Sequence, residues 1–99
     1  LDVIVDLRQS SPTFGQHYSV HLYRPEVMLW VPEGFAHGFY VYSLHAHVSY
    51  KTTDYYYKEY DRSLLWNDPD LGIDWGIESP FLSAKDKYAK TFKECEKYD

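Results

Sequence analysis

The chain opens on a β-branched run, Leu1–Leu7, in which Val3, Ile4 and Val5 stand between Asp2 and Asp6. The polar run Arg8-Gln9-Ser10-Ser11-Pro12 closes it, so it reads as a strand followed by a turn. In Phe14–Tyr23, Tyr18, Val20 and Leu22 alternate with His17, Ser19 and His21. That period of two predicts a half-buried strand. Val27–Val31 is a short apolar strand stopped by Pro32-Glu33-Gly34, where Gly34 supplies the positive φ of a type II turn. Ala36–Tyr42, Ala46–Thr53 and Ser63–Trp66 read as further strands, and Asn67-Asp68-Pro69-Asp70-Leu71-Gly72 is a dense turn signal. Ser83–Tyr98 has helical composition, with Ser83 as its cap and Asp86 three residues later. Many short strands at close spacing predict an all-β domain, a sandwich or a jelly-roll barrel, with a short C-terminal helical segment.

Composition sharpens this picture in two places. Aromatic residues make up 19% of the 99 residues, and 11 of them are Tyr, which suits strands and half-buried surfaces. The formal net charge of −5 disfavours nucleic acid, which needs clustered Lys and Arg, but leaves room for a phosphate-bearing ligand in a local basic pocket. A chain of this length forms one domain, 1–99, with marginal burial unless another surface covers its edges. No apolar run reaches the roughly 18 residues needed to cross a membrane. The single cysteine, Cys95, points to a reducing compartment and so to the cytoplasm. The opening Asp2–Asp6 run reads as the interior of a strand, so the chain is expected to be a truncated form of a larger barrel.

Five blocks carry a resemblance: VDLRQSSPTFG at Val5–Gly15, VPEGFAHGF at Val31–Phe39, YKTTDYY at Tyr50–Tyr56, WNDPDLGIDW at Trp66–Trp75 and LSAKD at Leu82–Asp86. In this order and spacing they resemble the C-terminal half of the dTDP-4-dehydrorhamnose 3,5-epimerase family, over about Val3 to Phe92. The resemblance implies a cupin-type jelly roll that works as a dimer. It also implies cofactor-free, metal-free epimerisation of dTDP-4-dehydro-6-deoxy-glucose at C3 and C5, on the way to dTDP-rhamnose.

Epimerisation beside a ketone needs a base for the C–H proton, a stabiliser for the enolate, and an acid on the opposite face. By resemblance, Tyr50 is the proton donor, and a phenol with a pKa near 10 is loaded at neutral pH. Read without the family, it is a core tyrosine on a strand. Asp86 falls where the family has the acidic partner of its base histidine; locally it reads as a helix first-turn carboxylate. His37 falls at a substrate-contacting histidine and could donate to the 4-keto oxygen, where the plainer reading is a satisfied core imidazole. Tyr56 matches an aromatic at the nucleotide end, able to stack on thymine. Asp61 and Lys85 fall at substrate-contacting positions. The family has Glu at the first, so Asp61 is one methylene short, while Lys85 could meet a pyrophosphate oxygen. Arg8 and Arg62 read as structural.

The family carries its base in a block of the form Arg-Gly-x-His-Tyr-Gln followed by a Lys, and these 99 residues hold no counterpart. Two expectations follow. In one, the protein is an epimerase with Tyr50, Asp86 and His37 in its site. In the other, it is an inactive half-cupin that binds nucleotide sugar or serves as an oligomeric scaffold. A base from His17, His21, His45 or His47 is a third course. His45 and His47 share a strand face, but a metal site is not expected, because the carboxylate and further histidine of a metal-binding cupin motif are not found. A homodimer or higher homo-oligomer, with each chain covering another's open strand edges, is expected in either case.

Overall fold

The structure is a computed structural model, and it describes residues 1–24, 26–43, 46–49, 51–52, 61–77 and 80–98. Three strands, β1 (Asp2–Asp6), β2 (His17–Val20) and β3 (Phe35–Phe39), form an antiparallel sheet in the order β2-β1-β3. β1 is central and buried along its whole length, as its unbroken apolar and β-branched interior requires. β2 is largely exposed and edges the sheet.

The registers separate the two faces. Val3 pairs with Gly38 and Val5 with Ala36, while Asp2 pairs with Phe39, Ile4 with His37 and Asp6 with Phe35. Side chains directly opposite share a face. Val5 therefore looks into the core with Leu7 and Leu71, against which Ala36, Leu64, Ile73, Phe92 and Cys95 pack. The other face carries Asp2, Ile4, Asp6 and His37 together with Tyr18 and Phe39, both about half exposed.

A carboxylate in a buried strand needs partners. Asp6 is 1% exposed and accepts from Arg8 Nε and Arg8 N–H through Oδ1, at 3.0 and 2.9 Å. Its Oδ2 takes Arg8 Nη2 at 3.0 Å, the Ser11 hydroxyl at 2.7 Å and the Thr13 hydroxyl. The same guanidinium lies over the Phe35 ring, 4.8 Å from its centroid. Arg8 also explains Gly34, whose φ is +85° and where a Cβ would stand 2.5 Å from Arg8 Cγ. The Gly34 carbonyl accepts from Leu7 N–H at 2.9 Å, so the turn before β3 docks against the end of β1.

A second carboxylate holds the C-terminal segment. Asp68 is buried and accepts from Asp70 N–H at 2.9 Å and Phe92 N–H at 2.6 Å. This explains why the helix expected across Ser83–Tyr98 is only α1 (Ala84–Lys87). Past it, backbone groups are taken by distant partners. Lys90 C=O accepts from Leu65 N–H, Phe92 N–H goes to Asp68, and Tyr98 N–H goes to Leu7 C=O at 2.8 Å. Tertiary hydrogen bonds thus override helical composition. The Ser83 cap forms, its Oγ accepting from Asp86 N–H at 3.2 Å.

Three other expectations are corrected. The residues of Val27–Val31 form no strand, and neither do the described residues of Ala46–Thr53. Ser63–Trp66 is reduced to an isolated bridge between Leu64 and Lys90. Apolar composition marks these stretches, but Met28, Trp30 and Val48 are exposed and no neighbouring strand pairs with them among the described residues. The sheet with one short helix matches an all-β class. No helix among the described residues is long and apolar enough to cross a membrane.

The Arg8 guanidinium, with the Ser11 and Thr13 hydroxyls, holds the Asp6 carboxyl far below its ordinary value, against the upward pull of burial. The network's contribution is therefore whole above the unfolded-state value of about 4 and is lost as the pH falls below it toward the folded-state value. Asp6→Asn is expected to cost about 1–3 kcal/mol at neutral pH. Thermal melts of the two proteins should converge on acidification below about pH 4. Parallel melting curves throughout would show that Asp6 does not act as a paired carboxylate.

Candidate active site

A hollow of about 340 Å³ runs beside β3, lined from both faces of that strand. His37 lines it from β3, Trp66 and Trp75 from the loop that follows Leu65, and Lys85 and Asp86 from α1. The two tryptophans hold the WNDPDLGIDW block closed on itself. Trp75 Nε1–H donates to Trp66 C=O at 2.7 Å, and the rings meet edge to face with centroids 6.5 Å apart. Trp75 also approaches β3, where a Cβ on Gly38 would meet its ring at 3.5 Å. This loop is anchored at its base by Asp68, whose carboxyl the Phe92 and Asp70 N–H groups hold below the ordinary value.

Of the residues singled out by resemblance, His37, Lys85 and Asp86 come to this one hollow. Asp86 is half-buried there, its backbone fixed by the Ser83 cap. Lys85 Nζ pairs with Asp61 Oδ2 at 3.1 Å, so these two positions are coupled to each other. Asp61 lies not in the main hollow but in a smaller one of about 210 Å³ that Lys85 also lines. An exposed pair of this kind contributes roughly 0–1 kcal/mol, so its ammonium can turn to an anionic ligand at little cost. Tyr50, Tyr56 and His45 lie outside the described residues.

Of the other histidines, His17, His21 and His47 do not line the hollow. The His21 ring meets the Tyr42 hydroxyl at 3.2 Å on the exposed side of the molecule. Arg8 is bound to Asp6, and Arg62 Nε donates to Glu96 at 3.1 Å. Among the described residues no group of three or more His, Cys, Asp or Glu side chains is placed to hold a metal ion.

One residue beside the hollow is not among those the motif blocks single out. Asp2 is buried and its Oδ1 contacts His37 Nε2. The signal was present: a carboxylate inside a β-branched strand, where an acid is rarely buried without a partner.

The chain belongs to the dTDP-4-dehydrorhamnose 3,5-epimerase family, whose model matches residues 1–94. It is 47% identical to the dTDP-4-dehydrorhamnose 3,5-epimerase of Pseudomonas aeruginosa over 97 residues, covering 96% of this chain and 54% of that protein. It is 49% identical over 98 residues to the protein of the same name from Neisseria gonorrhoeae, covering 97% of this chain and 30% of that protein. A crystal structure of dTDP-6-deoxy-D-glucose-3,5-epimerase RmlC from Legionella pneumophila, in complex with dTDP-4-keto-L-rhamnose, matches with a TM-score of 0.73. That match has 42% identity and covers 94% of this chain and 50% of that one. The chain thus spans about half the length, or less, of these relatives.

Proposed function

We propose that this chain is part of a dTDP-4-dehydrorhamnose 3,5-epimerase, with the cupin-type jelly roll of that family. Its reaction is the cofactor-free epimerisation of dTDP-4-dehydro-6-deoxy-glucose at C3 and C5. The observation that carries the reading is the meeting of His37, Lys85 and Asp86 at one hollow, in a chain matched by the family model over residues 1–94.

The chemistry follows from the 4-keto group, which acidifies the C–H bonds at C3 and C5. A base removes one proton, and the electron pair passes into an enolate whose oxygen is the former ketone oxygen. The enolate carbon then takes a proton on the opposite face as the ketone re-forms. Tyr50 gives that second proton, and its phenolate is reprotonated from water. Asp86 orients the imidazole base of the family's Arg-Gly-x-His-Tyr-Gln block, which these 99 residues do not include, fixing its tautomer as carboxylate partners of histidine do. Lys85 leaves Asp61 to meet the pyrophosphate, Asp61 contacts the substrate beside it, and Tyr56 stacks on the base. Two hydrogens exchanged with solvent and none lost is the signature of such a reaction.

The same reading supplies a partner. Met28, Trp30 and Phe81 are 88%, 79% and 107% exposed, and Tyr18 and Phe39 stand open on the sheet. Large apolar side chains left this open to solvent are candidates for contact surfaces. We assign them to contacts between copies of the protein, as a homodimer or larger homo-oligomer. The lone cysteine fits a reducing cytoplasm: Cys95 is half-buried, burial raises its thiol above the ordinary value, and its Sγ–H donates to Phe92 C=O at 3.3 Å.

Incubated with dTDP-4-dehydro-6-deoxy-glucose in D2O, the protein is expected to place deuterium at C3 and C5. Tyr50→Phe should slow the exchange roughly 10²–10⁴-fold. Exchange no faster than in buffer alone would refute the epimerase reading. Sedimentation at micromolar concentration is expected to find a dimer or larger species, and a stable monomer would contradict the assigned contacts.

A further inference from the structure

The pairing of Asp2 with His37 adds a residue to this site. Asp2 lies opposite Phe39 and His37 lies opposite Ile4, so the two are diagonal neighbours on one face of the sheet. Diagonal side chains on adjacent strands are about 7–8 Å apart at their bases, within reach of a ring and a carboxylate. Asp2 Oδ1 meets His37 Nε2, and Asp2 is buried beneath the half-exposed ring. His37 is among the residues that line the hollow.

An ionised carboxylate can only accept, so in this contact Nε2 must carry the hydrogen. A neutral imidazole holding its proton at Nε2 has a lone pair at Nδ1. We propose that Asp2 is a positioning residue, which fixes His37 in the Nε2–H tautomer so that Nδ1 is the atom offered to a ligand in the hollow. This rests on the reading of His37 as a substrate-contacting residue and changes what that residue does. A neutral His37 held this way cannot donate to the 4-keto oxygen. It accepts, taking a hydrogen bond from a sugar hydroxyl or a proton from a carbon acid. In the second case the proton goes to Nδ1, the Nε2–H bond stays intact and Asp2 remains a carboxylate. Only the resulting imidazolium can donate from Nδ1 to an oxyanion.

The arrangement also accounts for an acid in the middle of the sheet. Asp2 and Asp6 lie on one face of β1, each against a different cationic or hydrogen-bonding group. Asp6 is sealed by Arg8 and closes a turn, whereas Asp2 meets the ring of a residue that lines the hollow. The first is architecture and the second serves the site.

Long-range 1H–15N correlation spectra of the histidine-labelled protein at neutral pH read the tautomer of each ring, and the spectrum of His37→Gln assigns the His37 signals. His37 is expected in the Nε2–H form. Asp2→Asn, whose amide can accept or donate, is expected to lose that preference and show both tautomers. An Nδ1–H ring in the wild type, or an unchanged preference in Asp2→Asn, would overturn the inference. Should Asp2→Asn fail to fold, the wild-type tautomer decides alone. An Nε2–H ring in a protein that shows no deuterium wash-in would uphold the pairing and sink the epimerase reading only.

Discussion

Asp6 and its partners are the constraint from which the rest of the described structure follows. A fully buried carboxylate at the end of the central strand is tolerable only with its lone pairs filled, and Arg8, Ser11 and Thr13 fill them. Filling them fixes the turn after β1, and that turn sends the chain back to pair as β2. The Arg8 stem fills the space that leaves room only for glycine at position 34, and its guanidinium covers Phe35 at the start of β3. One ionic cluster thereby sets both neighbours of the central strand. His37, two residues beyond Phe35, inherits its place from it.

The second hub, Asp68, does for the C-terminal segment what Asp6 does for the sheet. By accepting from Phe92 N–H it fastens residues after α1 to the tryptophan loop, and so brings Lys85 and Asp86 to the hollow that His37 lines. Neither hub touches the site directly. Buried polar groups of this kind contribute modest net stability but specify one arrangement, because every other arrangement leaves a charge unsatisfied. The site is thus assembled from two strictly satisfied carboxylates and a small apolar core of Val5, Leu7 and Leu71.

What could be read from the sequence follows the same division. The β1 and β2 patterns, the glycine turn before β3 and the Ser83 cap were legible because each is a local rule: alternation, positive φ, a side-chain acceptor three residues from its donor. The length of the helix was not legible, since Phe92 and Tyr98 are held by Asp68 and Leu7, far away in the chain. Val27–Val31 has the apolar composition of a strand but no ladder partner among the described residues, and pairing cannot be seen in a single segment. The site divides likewise. Motif blocks pointed to His37, Lys85 and Asp86, which do share a hollow, whereas the Asp2–His37 contact depends on strand register and so emerged only from the fold.

The proposed epimerase site would bring a phenol, an imidazole and a carboxylate to one keto sugar. A crystal structure of the protein with a dTDP-4-keto sugar bound tests this most directly. It should place the ring of the sugar in the hollow between His37 and Asp86, with the hydroxyl of Tyr50 within hydrogen-bonding reach of a ring carbon's face. A sugar bound elsewhere, or a Tyr50 side chain directed away from the wall that carries Asp86, would contradict it.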